Sequence, residues 1–294
     1  MKTSTPGIRH RGFADFGGLD PELRDGNRHW LMRAQNFWLE WIEMAHDPVS
    51  AGFEVHSLFE SMLLVLNAAV RVVPADPGRA PAQAAAHSLC ILPPGCHAVS
   101  AAAGAVCVSI ASARSDLAGR RCLGQEAYVE RDPRICPTGQ PYRRHAGDGV
   151  IRVLDIDAIA ASPDRPRLKM IQTDTLSINI VEYDGPRDRR ALSPHAHADC
   201  EQGSLAVEGD FVHHLRVPWG SDSNLWRDDE HLQAGSPSLL VVPVGMVHTT
   251  EGVGEGRHML LDVFSPPRRD FIDSGWVFNS RDYEAADPAG GGAR

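Results

Sequence analysis

Pro194-His195-Ala196-His197, Glu201-Gln202, Gly209 and Pro243-Val244-Gly245-Met246-Val247-His248 form the stretch whose reading decides the fold. Side chains alternate along a β-strand, so His195 and His197 are expected on one face of a strand. His248 on a neighbouring strand, with one oxygen donor, would complete a compact metal site. Imidazoles plus an oxygen, with open positions, suit Fe(II), Mn, Ni, Zn or Cu rather than Ca or Mg. HxH alone is a weak signal. HxH with PxGxxH downstream, among strand-like runs, is a specific one.

The oxygen donor is Glu201 or Gln202. Adjacent residues of an extended strand point to opposite faces, so both cannot serve without a bulge. Steps of two put Gln202, Ser204 and Ala206 on one face and Glu201, Gly203, Leu205 and Val207 on the other. The small-residue face leaves room for metal and substrate, which favours Gln202. A bulge near residues 198–200 is expected to absorb the spacing after His197.

Working outward, Ser88-Leu89-Cys90-Ile91-Leu92-Pro93-Pro94-Gly95-Cys96-His97 echoes the run from Ser238 to His248. Each is followed by a Gly-led apolar run, 104–109 and 256–264, then by a short charged segment. The offset is roughly one domain's length. Further strands are expected at 52–60, 61–66, 69–73, 88–92, 151–159 and 175–183. The segment 35–45, QNFWLEWIEMA, alternates Phe37, Leu39 and Trp41 against Trp38, Glu40 and Ile42, which predicts a strand.

At these motifs the chain resembles the cupins. That family's first motif is HxH, a short gap, an acidic or amide ligand, six residues and Gly; its second centres on PxGxxH. His195, His197 and His248 fall on the three histidine positions, and the six-residue gap before Gly209 selects Gln202. The family's trailing Asn is Gly252 here. The resemblance implies an all-β chain of two jelly-roll barrel domains with a few short helices. The expected division is a flexible arm (1–27), a degenerate cupin domain (28–117), a connection (118–170), a metal-binding cupin domain (171–284) and a disordered tail (285–294). The first domain has no HxH, and its His97 stands one residue too close to Gly95. His56, His87 and His97 are therefore read as histidines without metal. The resemblance implies one divalent transition metal, with Fe(II) favoured.

Several residues are candidates for chemistry. Only one of His213 and His214 can face the interior, as a partner to the ligands, a general acid or base, or a donor to substrate. His258 and Asp262 share a strand face. Arg227 would pair with a substrate carboxylate, and Trp219, Trp226 and His231 would line a substrate pocket. The leading reading is a metal-dependent enzyme, a dioxygenase or an isomerase, acting on a small oxygen-rich molecule. A non-catalytic ligand-binding or sensing protein is the second reading.

Composition sets the limits. With 294 residues, 43% hydrophobic and 23% charged, the chain can build sizeable cores. A net charge of −9 without a basic stripe excludes a phosphate-backbone binder. No apolar run reaches membrane-spanning length, and the six cysteines form no CxxC pair. The expectation is a cytoplasmic protein with reduced thiols and a small-molecule substrate. The first domain is expected to serve as a packing platform or a homodimer surface, with neither nucleic-acid nor membrane partner.

Overall fold

The computed structural model describes residues 7–45, 52–145 and 149–286. Among them are twenty-three strands and a single short α-helix, Arg269–Asp273. The chain is all-β, as the alternating patterns imply. No described helix is long and apolar enough to cross a membrane.

The described residues fold as two compact units. One, the HxH unit, is drawn from Met1–Leu19, Glu130–Cys136 and Asn179–Phe264; the companion unit takes Asp20–Val129, Pro137–Ile178 and Ser265–Arg294. In the HxH unit one sheet runs in the order Gly12–Asp15, Ser238–Val242, Gln202–Glu208, Arg257–Phe264, Ser177–Asp184. A second sheet places Asp210–Arg216 between Glu230–Ala234 and Val247–Val253. Ser238–Val242 is buried at all five positions, as a central strand covered on both faces must be. Leu215, Val217, Leu240, Val242 and Met246 form one apolar cluster, and Ala206, Phe211, Ala234 and Leu260 another.

Gly209 ends the Gln202–Glu208 strand at φ 92, and a Cβ there would lie 2.7 Å from the Arg257 carbonyl oxygen. Only glycine fits such a turn without strain. Gly252 is equally constrained: a Cβ would meet the Tyr183 hydroxyl at 2.2 Å.

The companion unit repeats the plan. A sheet of paired strands centres on Trp38–Glu43, Val106–Ala111, Ser61–Val65 and Ser88–Leu92; a four-stranded sheet runs Gly52–Ser57, Gly95–Ala101, Val70–Pro74, Ala82–Ala84. Ile42, Val55, Leu63, Val65, Val72, Cys90, Val99 and Cys107 fill the space between them. The aromatic run at 35–45 thus yields a strand, Trp38–Glu43.

Within 1–27, expected as an arm, Gly12–Asp15 pairs antiparallel with Ser238–Val242, and Glu22–Arg24 pairs with Asn27–Arg33. A four-residue strand carries too little local pattern to be read alone; it exists because a long apolar partner lies beside it. Residues 1–6 of that arm and 287–294 of the expected tail lie outside the described residues. Within 118–170, Cys122–Leu123, Tyr142–Arg144 and Arg152–Asp155 are strands of the companion unit, whereas 130–136 belongs to the HxH unit. None of the described cysteines is joined in a disulfide, and Cys136 is exposed.

Candidate metal centre

His195 and His197 do not sit on a long strand. His195 forms an isolated antiparallel bridge with His248, bonding N–H to carbonyl in both directions at 3.0 and 2.8 Å. The Gly245 N–H donates to the His197 carbonyl at 2.7 Å, tying the two motifs together again. Residues 198–199 form a bend rather than the expected strand bulge, and the Asp199 carbonyl accepts from the Cys136 N–H. This bend lets the chain enter the Gln202–Glu208 strand with Gln202, Ser204 and Ala206 inward.

Donor atoms of His195, His197 and His248 all lie within 4.8 Å of one another. His197 and His248 are buried, while His195 is exposed, so the group is open on one side. No carboxylate belongs to this group among the described residues. Gln202 does join it: its Oε1 stands 2.8 Å from His197 Nε2 and 3.1 Å from His248 Nε2. Glu201 is buried and outside the group.

The hydrogen bonds around the group place a proton on Nδ1 of two of the imidazoles. His195 Nδ1–H donates to the Ser193 carbonyl at 2.9 Å, and His248 Nδ1–H to the Met246 carbonyl at 3.0 Å. Each therefore turns its Nε2 inward. Burial, reinforced by the two neighbouring imidazoles, pushes His248 down to about 3, so it is neutral at ordinary pH. The Gln202 amide is oriented too. Its NH₂ donates to Ser204 Oγ and to Asp262 Oδ1, both at 2.9 Å, and Ser204 Oγ donates to the same carboxylate at 2.6 Å. Flipping the amide would set its oxygen against the Asp262 carboxylate.

The consequence is a contact between acceptors: a neutral imidazole lone pair facing an amide oxygen at 3.1 Å. A proton cannot relieve it while Nδ1 is the donor to Met246. A cation held between these atoms would satisfy all of them, so the donor set fits a divalent transition metal bound by His195, His197, His248 and Gln202. Burial raises the Asp262 carboxyl, and the bonds from Ser204, Asn179 and Gln202 oppose that shift. Ser204 and Asp262 are direct cross-strand partners. Reading Gln202-Gly203-Ser204 as donor and support on one face was the available clue to this anchoring role.

The other candidates separate. His213, 1% exposed, turns inward on the strand where Leu215 pairs with His248. Its Nδ1 lies 2.9 Å from Thr250 Oγ1 and its Nε2 has no partner; burial, with His248 and His214, pushes it down to about 3. His214 turns outward and contacts His231 (2.7 Å) and Glu251 (3.1 Å), so neither His214 nor His231 joins the histidine group. His258 is also buried, stacked on Tyr183 with its Nε2 2.9 Å from the Val253 carbonyl. It lies four residues, about 13 Å, along the strand from Asp262. Arg227 donates to the Ile8 and Arg9 carbonyls. Trp219 and Trp226 are exposed and stack at 4.6 Å; Trp219 and Arg227 line a surface cavity with Arg216, Val217, Asp228 and Asp229.

In the companion unit, His56, His87 and His97 do not converge. His97 points into the apolar interior with neither ring nitrogen partnered, and burial pushes it down to about 4. His87 pairs with Asp157 at 3.2 Å.

No family model and no curated protein matches the sequence. Solved structures do match. The formate complex of Lactobacillus farciminis oxalate decarboxylase aligns at TM-score 0.60 and 14% identity, over 90% of this chain and 88% of that one. Bacillus subtilis oxalate decarboxylase, a protein with Mn(II) centres, aligns at 0.59 and 13% over 90% and 80%. AerE from Microcystis aeruginosa aligns at 0.55 and 8% over 84% and 98%. Identities this low carry the fold and nothing more: the chain folds in β jelly rolls of the cupin type.

Proposed function

We propose that the protein is a metal-dependent enzyme acting on a small organic acid, with His195, His197, His248 and Gln202 holding one divalent transition metal. The observation that carries this reading is the convergence of three imidazoles and an amide oxygen on one point. Imidazole and amide ligands bring no negative charge, so a bound ion keeps its full positive charge for an anionic ligand such as a carboxylate or an enolate. The exposed His195 side provides the approach. When bound, the metal supplies Lewis-acid polarisation of substrate oxygen and open coordination positions. The Mn(II) and the formate of the oxalate decarboxylase structures support Mn(II) beside Fe(II), and a small acid as ligand.

The chain's own residues orient and exclude. Asp262 and Ser204 hold the Gln202 oxygen toward the imidazoles. His213 offers a buried neutral nitrogen that would hydrogen-bond a substrate oxygen in the same interior. Leu215, Val242 and Met246 keep the surroundings apolar, which strengthens such contacts. Within this reading, dioxygenation stands first and isomerisation second.

The test is to load the full chain with Mn(II) or Fe(II) and offer small mono- and dicarboxylates, oxalate included. Oxygen uptake, CO₂ release and product spectra are followed together. Turnover that His195→Ala abolishes and His214→Ala leaves intact is expected. Metal and acid binding with no turnover would instead make this a binding module.

A further inference from the structure

The four-stranded sheet of the companion unit has an outer face as well as a core face. Gly52–Ser57 pairs antiparallel with Gly95–Ala101, with Cys96 directly opposite His56 and His97 opposite Val55. Val55 and Val99 face the core, so His97 does too. Alternation then turns Glu54, His56 and Cys96 together to the outside, and their partial or full exposure agrees.

The three side chains converge there. His56 Nε2 lies 3.0 Å from Glu54 Oε2 and 3.7 Å from Cys96 Sγ, and one donor atom from each residue falls within 4.8 Å of the others. A nucleophile relay would use the two ring nitrogens separately, one toward the acid and one toward the thiol. Here the same nitrogen faces both. In a tetrahedral zinc centre, bond lengths to sulfur, nitrogen and oxygen place neighbouring donors about 3.4–3.6 Å apart. The observed separations bracket that range.

We propose that Glu54, His56 and Cys96 form a metal centre of their own, for a borderline divalent ion such as Zn(II). It leaves one coordination position open to water or a ligand. The sulfur selects against Mn(II), Mg(II) and Ca(II), so this centre and the histidine group differ in metal preference. A thiol binds such an ion only as the thiolate, so loading releases a proton and strengthens with pH.

The experiment uses the full chain carrying His195→Ala and His248→Ala, which separates this claim from the proposed enzyme site. Titrated with Co(II), it should bind one equivalent and develop thiolate-to-cobalt charge-transfer absorption. Adding Cys96→Ser should remove the absorption and weaken Zn(II) binding by more than about a hundredfold, beyond what losing a supporting partner costs. His56→Ala should do the same. Absorption that survives Cys96→Ser, or folded protein that retains neither ion after desalting, would overturn the proposal. In the unmodified chain, Zn(II) should slow alkylation of Cys96, read by peptide mapping; an unchanged rate would overturn it equally.

Discussion

Pro243–His248 and Pro94–His97 solve the same turn differently. Both pass through a glycine at positive φ, Gly245 at 82 and Gly95 at 133, and both deliver a buried histidine to an interior. His248 meets an imidazole from its bridge partner, a second imidazole and an amide oxygen. His97 meets Val55 and Pro74 across its strands, and both its nitrogens stay unpaired. A buried imidazole becomes a ligand only when neighbouring strands supply other acceptors. Without them it is a neutral base that desolvation penalises.

The largest effect that tests this contrast is on metal binding. His195→Ala/His248→Ala should abolish Mn(II) binding, a loss of several kcal/mol on the scale of structural metal sites, about 10 kcal/mol in all. His97→Ala should leave the Mn(II) titration, followed by electron paramagnetic resonance, unchanged. Mn(II) retained by the double variant would dissolve the distinction between the two histidines.

Next in size is the support of Gln202. Asp262→Asn leaves the amide free to turn, and Mn(II) affinity should fall about 10–100-fold. Gln202→Ala should weaken binding more than Glu201→Gln does. The reverse order would return the oxygen donor to Glu201 and a different register.

The companion unit carries a buried acid pair with its own pH signature. Glu60 and Asp174 exchange backbone N–H bonds at 3.2 Å, and Tyr283 and Arg144 also bond Glu60. Burial, then the Glu60 charge, raises Asp174 from 3.8 to about 7. The folded state therefore binds this proton more tightly than the unfolded one. That stability is complete below about pH 4 and is lost as pH rises through about 7. Asp174→Asn should flatten that part of a denaturation-versus-pH curve, by about 1–3 kcal/mol. The buried His213 and His248, held down at about 3, act with opposite sign: their contribution is present above about pH 6.5 and falls away toward pH 3. A companion-unit curve that did not change on Asp174→Asn would count against the pairing.

The smallest expected effect is a gain. His97→Leu replaces an unpartnered buried imidazole with an apolar side chain of similar reach, and denaturant titration should show stabilisation of about 1 kcal/mol. A loss of stability would mean that His97 has a partner in solution.

The sequence by itself determined the β class, the three histidines and the face shared by Gln202, Ser204 and Ala206. Each follows from period-two alternation and motif spacing, which are local properties of the chain. Long buried runs such as Ser88–Leu92 and Ser238–Val242 were legible for the same reason: a strand covered on both faces has no polar side to confuse its pattern. Only the tertiary structure decided which strands lie side by side. Through that choice it placed Asp262 under the Gln202 amide, turned His213 inward and His214 outward, recruited Gly12–Asp15 to the far end of the chain, and brought Glu54, His56 and Cys96 to one spot. Pairing partners and the orientation of an amide depend on contacts between residues distant in sequence, and local periodicity does not contain them.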